Sequence, residues 1–197
     1  MKLQKQKLAA IIIIGIFIST LCLYLHPKIV NNDLTPAIVS HANAPDISFQ
    51  VYSKGAILMD SSTGRVLYGK NQNEKLYPAS TTKILTAILA IEKCNLTDKI
   101  TASNTAIMSI PPGYSNATIQ PDESLTVQEL LDLFLIHSAN EIGYIFAEHI
   151  SGNVENFSAL MNQKATEIGC KNTHFTNPSG IHDAEHYSTA YDMALIA

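Results

Sequence analysis

Two short runs in the sequence carry residue types at a spacing that nucleophilic catalysis can use. In Ser80-Thr81-Thr82-Lys83 the serine and the lysine stand three apart. On a helix, i and i+3 share a face, so hydroxyl and amine can meet one turn apart beside N-terminal backbone N–H groups. A serine hydroxyl is a weak nucleophile until a base takes its proton, and a lysine desolvated by apolar neighbours becomes a weak enough cation to serve as that base. Lys83 is the only charge between Lys75 and Glu92, among Ile84, Leu85, Ile88, Leu89 and Ile91. On its own S-x-x-K is common by chance, and a serine helix cap beside a solvated lysine also accounts for it. The second run is Ser138-Ala139-Asn140, preceded by His137, in a gap between two expected helices. Such a loop is a firm mount from which a hydroxyl and an amide can be aimed at a cleft, although helix capping by either residue is the simpler role.

The elements that must hold these residues follow from periodicity. Gly55–Asp60 and Arg65–Tyr68 are short apolar runs around Ser61-Ser62-Thr63-Gly64, a strand, turn, strand pattern. Ser80–Lys93 has wide apolar coverage and predicts a helix buried on most sides. The stretch 95–123 is irregular, broken by Pro111-Pro112-Gly113 and Pro121, with a short strand at Lys99–Ala102. Thr126-Val127-Gln128-Glu129 is a capping box that opens a helix with Leu130, Leu131, Phe134 and Leu135 as its stripe. Further helices are expected at Glu141–Ile150, after Asn153 until Gly169, and from about Ser188. Strands at one end and helices in the middle predict an α+β fold.

The chain has 197 residues, 46% hydrophobic and 15% charged. That composition supports a packed core and excludes charge-driven disorder. Leu8–Leu25 is an uncharged run behind Lys2, Lys5 and Lys7, long enough at about 27 Å to meet a membrane. The expectation is a retained anchor or a removed signal at 1–26, with the anchor favoured by length and by the poor placement of Ala42-Asn43-Ala44 before Pro45. A linker then spans 27–50, and a domain spans 51–197 outside the membrane. With three lysines in the leader, ten basic residues face seventeen acidic ones beyond it, which argues against a nucleic-acid partner. Cys22, Cys94 and Cys170 have no zinc or dithiol spacing, and an exported Cys94 and Cys170 are as compatible with a disulfide as with two thiols. His182-Asp183-Ala184-Glu185-His186 has ligand types, but Pro178 and Gly180 imply a turn rather than the helix an i, i+4 ligand pair needs, so no metal is expected.

S-x-x-K followed by S-x-N is far more specific than either motif alone. Tyr77-Pro78-Ala79-Ser80-Thr81-Thr82-Lys83, His137-Ser138-Ala139-Asn140-Glu141 and Asn177-Pro178-Ser179-Gly180 through His186-Tyr187-Ser188-Thr189-Ala190 resemble the serine-type D-alanyl-D-alanine carboxypeptidases, the low-molecular-mass penicillin-binding proteins, over about residues 51–197. The resemblance implies a β-lactamase/transpeptidase-like fold, a helical cluster packed on an antiparallel sheet with the site between them. It implies Ser80 as the acylated nucleophile, Lys83 as its base, Ser138 as a proton shuttle, and Asn140 as orienter of Lys83 and partner of the substrate amide. It further implies cofactor-free removal of the terminal D-alanine from peptidoglycan stem peptides, with β-lactams as covalent inhibitors. The pattern departs from the family in two places. Glu141 stands where an aspartate is usual, and no Lys-Thr-Gly follows His186-Tyr187-Ser188-Thr189, since Ser62-Thr63-Gly64 belongs to the first hairpin. The expectation is therefore a C-terminally incomplete copy with an incomplete sheet. Two other readings stand beside the carboxypeptidase: a catalytically incomplete remnant or peptidoglycan-binding module, and a β-lactamase-like hydrolase, for which no separate deacylating glutamate stands out.

Overall fold

The computed structural model describes residues 51–197, so the expected membrane segment at 8–25 and linker at 27–50 lie outside the described residues. Among the described residues no helix is long and apolar enough to cross a membrane.

The first strands form the expected hairpin. β1 (Ala56–Met59) and β2 (Val66–Lys70) pair antiparallel, Ala56 opposite Lys70, with a register slip after Leu58. Asp60 closes the turn, its carboxylate accepting the N–H groups of Ser62 and Thr63. A 3₁₀ turn at Ala79–Thr82 then runs into α1 (Lys83–Lys93). The sequence predicts one continuous helix from Ser80, and the structure tightens its first turn. β3 (Lys99–Thr101) pairs antiparallel with β4 (Ser124–Thr126), and between them α2 (Asn104–Met108) starts from a Ser103 cap. The strand at residue 99 is expected; α2 is not, because five residues are too few to show a 3.6-residue period.

The capping box of Thr126 and Glu129 opens α3 (Val127–Ile136) as predicted. α4 (Asn140–Ser151), α5 (Val154–Ile168, capped by Asn153) and α6 (Ala190–Ile196, capped by Thr189) follow. Burial explains why α1 needs apolar residues on several sides. Leu85 and Leu89 pack in one cluster with Phe157, Met161 and Ala165 of α5 and with Phe175. Ala87 and Ala90 pack in the other, with Leu130 and Phe134 of α3 and Ile142 and Phe146 of α4. α1 is thus the wall shared by two cores, and its N-terminal turn is fixed from both sides. The architecture is α+β, and the described strands form two separate two-stranded antiparallel sheets. Cys94 and Cys170 are both free thiols, which settles the choice left open by the sequence.

Candidate active site

The four candidate residues meet at the N-terminal end of α1. The 3₁₀ geometry brings i and i+3 into closer register than an α-turn does, and Lys83 Nζ lies 3.2 Å from Ser80 Oγ. Neither serine acts as a cap. The 3₁₀ turn and α1 start without a side-chain cap bond, and so does α4, whose preceding residue is Ala139. The polar atoms of Ser80, Ser138 and Asn140 are therefore available to one another. Ser138 Oγ donates to Ser80 Oγ at 3.1 Å. Asn140 points its Oδ1 at Lys83 Nζ, 2.8 Å away, while its Nδ2 donates to the Ser115 carbonyl at 2.7 Å. That second bond fixes which way round the amide sits.

Lys83 has a third acceptor, the Ser179 carbonyl at 2.9 Å. The lysine is only 3% exposed. Burial pulls its pKa down to about 8, against an opposing pull from the Glu141 charge. As an ammonium it spends all three N–H bonds on Ser80, Asn140 and Ser179. As an amine it keeps two donors for Asn140 and Ser179, and its lone pair is left facing the Ser80 hydroxyl. This is the geometry of a serine with a base one turn away. A cleft of about 310 Å³ opens over it, lined by Ser80, Thr81, Lys83, Ile84, Phe134, Leu135 and Ser138. A separate hollow of about 390 Å³ between Ile107, Pro111, Ile119 and Glu141 contains none of the four.

Two backbone positions beside the cluster are left-handed without being glycine, Ala79 (φ 48°) and Ser138 (φ 55°). Such strain persists only where surrounding contacts over-determine it. At Ala79 the contact is Gly180, at φ 82°, so close that an added Cβ would fall 1.8 Å from the Ala79 carbonyl oxygen. Only glycine permits that approach. The loop 176–181 touches α1 again at Thr86, whose Oγ1 donates to the Pro178 carbonyl at 2.7 Å.

Ser179 and Gly180 are the site residues that sequence reasoning did not assign a role. Asn177-Pro178-Ser179-Gly180 announces a turn, but a main-chain carbonyl leaves no side-chain signature. The two histidines do not converge. His186 is buried against Thr82, while His182 packs its ring edge-on to Tyr77 at 4.6 Å. Among the described residues no group of His, Cys, Asp and Glu is placed to hold a metal. Glu141 is buried, with Oε1 accepting the Ala117 N–H at 2.5 Å.

Residues 39–197 match the family model described as D-alanyl-D-alanine carboxypeptidase. The chain is 45% identical over 150 residues to the D-alanyl-D-alanine carboxypeptidase DacF of Bacillus subtilis, covering 74% of this chain and 38% of that protein. It is 36% identical over 157 residues to DacA of Haemophilus influenzae, covering 77% and 39%. Among solved structures, the D-alanyl-D-alanine carboxypeptidase DacD of Francisella tularensis superposes with a TM-score of 0.69 at 34% identity, covering 75% of this chain and 36% of that one. A Streptomyces K15 DD-transpeptidase mutant superposes with a TM-score of 0.71 at 28% identity, covering 76% and 61%. The chain thus spans about two fifths of the curated relatives it matches. With the family model running through Ser80, Ser138 and the loop at Ser179, the chain belongs to the D-alanyl-D-alanine carboxypeptidase family.

Proposed function

We propose that residues 51–197 carry the acylation machinery of a serine D-alanyl-D-alanine carboxypeptidase acting on peptidoglycan stem peptides. The observation that carries the reading is the buried Lys83, with a pKa near 8 and hydrogen-bond distance to Ser80. In this reading Ser80 Oγ attacks the carbonyl between the two D-alanines and forms a C–O bond. Its proton passes to the Lys83 amine as the tetrahedral oxyanion forms. The C–N bond then breaks, and Lys83 returns the proton through Ser138 to the departing D-alanine amine. Water next cleaves the Ser80 ester, which restores the hydroxyl. Asn140 keeps Lys83 aimed and offers its amide edge to the substrate. A β-lactam presents an amide carbonyl in the same place, strained by its four-membered ring, and stops at the acyl-enzyme. No cofactor is required by this sequence of steps.

The domain works outside the cytoplasmic membrane, tethered through residues 8–25, a reading supported by the lysine-flanked apolar run. The experiment is labelling of the full chain with a fluorescent penicillin, followed by peptide mapping. Label is expected on Ser80 and absent in Ser80→Ala, and Lys83→Ala is expected to slow labelling by about 10² to 10⁴. Label that persists in Ser80→Ala would refute the assignment. A chain that binds stem peptide without being labelled would instead be a peptidoglycan-binding module.

A further inference from the structure

One buried polar group touches the active-site turn without belonging to the acylation steps. His186 is 2% exposed. Its Nδ1 accepts the Thr176 backbone N–H at 3.1 Å, so the ring proton belongs on Nε2. Nε2 lies 2.9 Å from Thr82 Oγ1, to which it donates. Thr82 is fully buried and joins the turn bearing Ser80 to Lys83. The ring is held on its other side by an edge-on contact with Phe175, centroids 5.4 Å apart.

His186 also stands at the base of the loop that supplies the third acceptor of Lys83. Asn177 Oδ1 accepts the N–H groups of Ser179, Gly180 and Ile181, and its Nδ2 reaches within 3.4 Å of His186 Nδ1. One imidazole, 104 residues beyond Thr82, therefore bridges two parts of the site, the serine turn through Thr82 and the carbonyl loop through Thr176 and Asn177.

We infer that His186 is a positioning residue: as a neutral imidazole protonated on Nε2, it locks Thr82 and the loop 176–181 together and so sets the distance between Ser80 and Lys83. This rests on the acylation role proposed for Ser80. Charge state is consistent with the assignment. Burial holds the His186 pKa down at about 4, with the nearby His174 acting in the same direction and Asp183 against it. The imidazole stays neutral wherever Lys83 can act as a base.

The test compares penicillin acylation rate and Lys83 titration, read by NMR of its Cε, in full chains whose melting is checked alongside. Thr82→Val removes the hydroxyl at nearly constant shape. It is expected to fold, to slow acylation by roughly ten- to a hundredfold as the serine turn shifts, and to move the Lys83 titration back toward that of an ordinary lysine. Thr82→Ser should recover most of the rate. His186→Leu should match Thr82→Val, and the double variant should be no slower than either single one, because both remove the same link. Nitrogen NMR of the parent should show His186 protonated on Nε2 alone at neutral pH. A folded Thr82→Val with parental rate and parental Lys83 titration would overturn the inference, as would additive losses or a ring protonated on Nδ1. If the parent is not acylated, the carboxypeptidase reading fails, and the Lys83 titration with the tautomer still decides the role of His186.

Discussion

Two irregular segments flank the site, and they are built on opposite principles. Residues 109–123 are mostly exposed, and apart from the Ser115 hydroxyl, which donates to the His137 carbonyl, their side-chain bonds are short-range: Asn116 to Thr118, Glu123 to Gln120 and Gln120 to Thr118. They reach the site through the Ser115 carbonyl on Asn140 and the Ala117 N–H on Glu141. Residues 171–189 contain many buried positions, and there side chains satisfy much of the backbone, from Asn177 within the segment and from Asn162 and Asp192 outside it. Asn162 exchanges bonds with both the N–H and the carbonyl of Phe175, and Asp192 Oδ2 accepts from Lys171, Asn172 and Thr173. Water can serve an exposed loop, whereas a buried one must find a protein partner for every N–H and carbonyl. The buried segment is therefore the rigid reference against which Lys83 is aligned, and the exposed one meets the site residues through Ser115 and Ala117.

The sharpest way to break this contrast is Gly180→Ala. The added methyl has no room beside the Ala79 carbonyl, and φ at 82° disfavours any side chain. A loss of about 3 kcal/mol or more in urea unfolding is expected, together with collapse of acylation. A variant of parental stability would show that the buried loop yields, and the distinction between the segments would fall.

A smaller effect, confined to pH dependence, is expected on the exposed side. Acylation should rise with pH as Lys83 loses its proton near pH 8. The Glu141 charge raises that pKa, so Glu141→Gln, which keeps an oxygen for the Ala117 N–H, should shift the rising limb to lower pH. The linked stability has a definite sign. Because the folded pKa lies below the ordinary lysine value of 10.5, unfolding between about pH 8 and 10.5 takes up protons, and stability rises with pH across that window. A limb that moves upward in Glu141→Gln would contradict the placement of the carboxylate.

The least effect belongs at Thr118, a β-branched residue at φ 58° in the exposed segment. Thr118→Gly relieves left-handed strain and adds chain entropy on unfolding. The two nearly cancel, so a change within about 1 kcal/mol and an unaltered acylation rate are expected from thermal melting and penicillin labelling. A large loss of rate would mean that this segment, too, fixes the reacting groups.

The same contrast explains what was legible in the sequence. The helices carrying Leu130 and Phe134, or Phe157 and Met161, show their periods openly, and Thr126 and Asn153 announce where α3 and α5 begin. Ser80 and Lys83 were legible because their spacing is local, and Ser138 and Asn140 because they recur with them in a known order. The Ser179 carbonyl was not, since any residue has one. Nor was the bond between His186 and Thr82, where a pairing across 104 residues leaves no local pattern. His186 instead drew attention as half of a metal-like pair, because residue type is visible in a sequence and burial is not.

The wide separation of the groups around Lys83 also has a consequence in time. Ser80 and Lys83 are synthesised together, but Asn140 lies 57 residues later and the Ser179 carbonyl 96 later. Until those residues emerge, Lys83 is an ordinary solvated cation and Ser80 an ordinary alcohol. In the proposed acylation the serine is activated only after the segment around residue 179 has folded against Lys83, so reactivity is withheld until the domain is assembled.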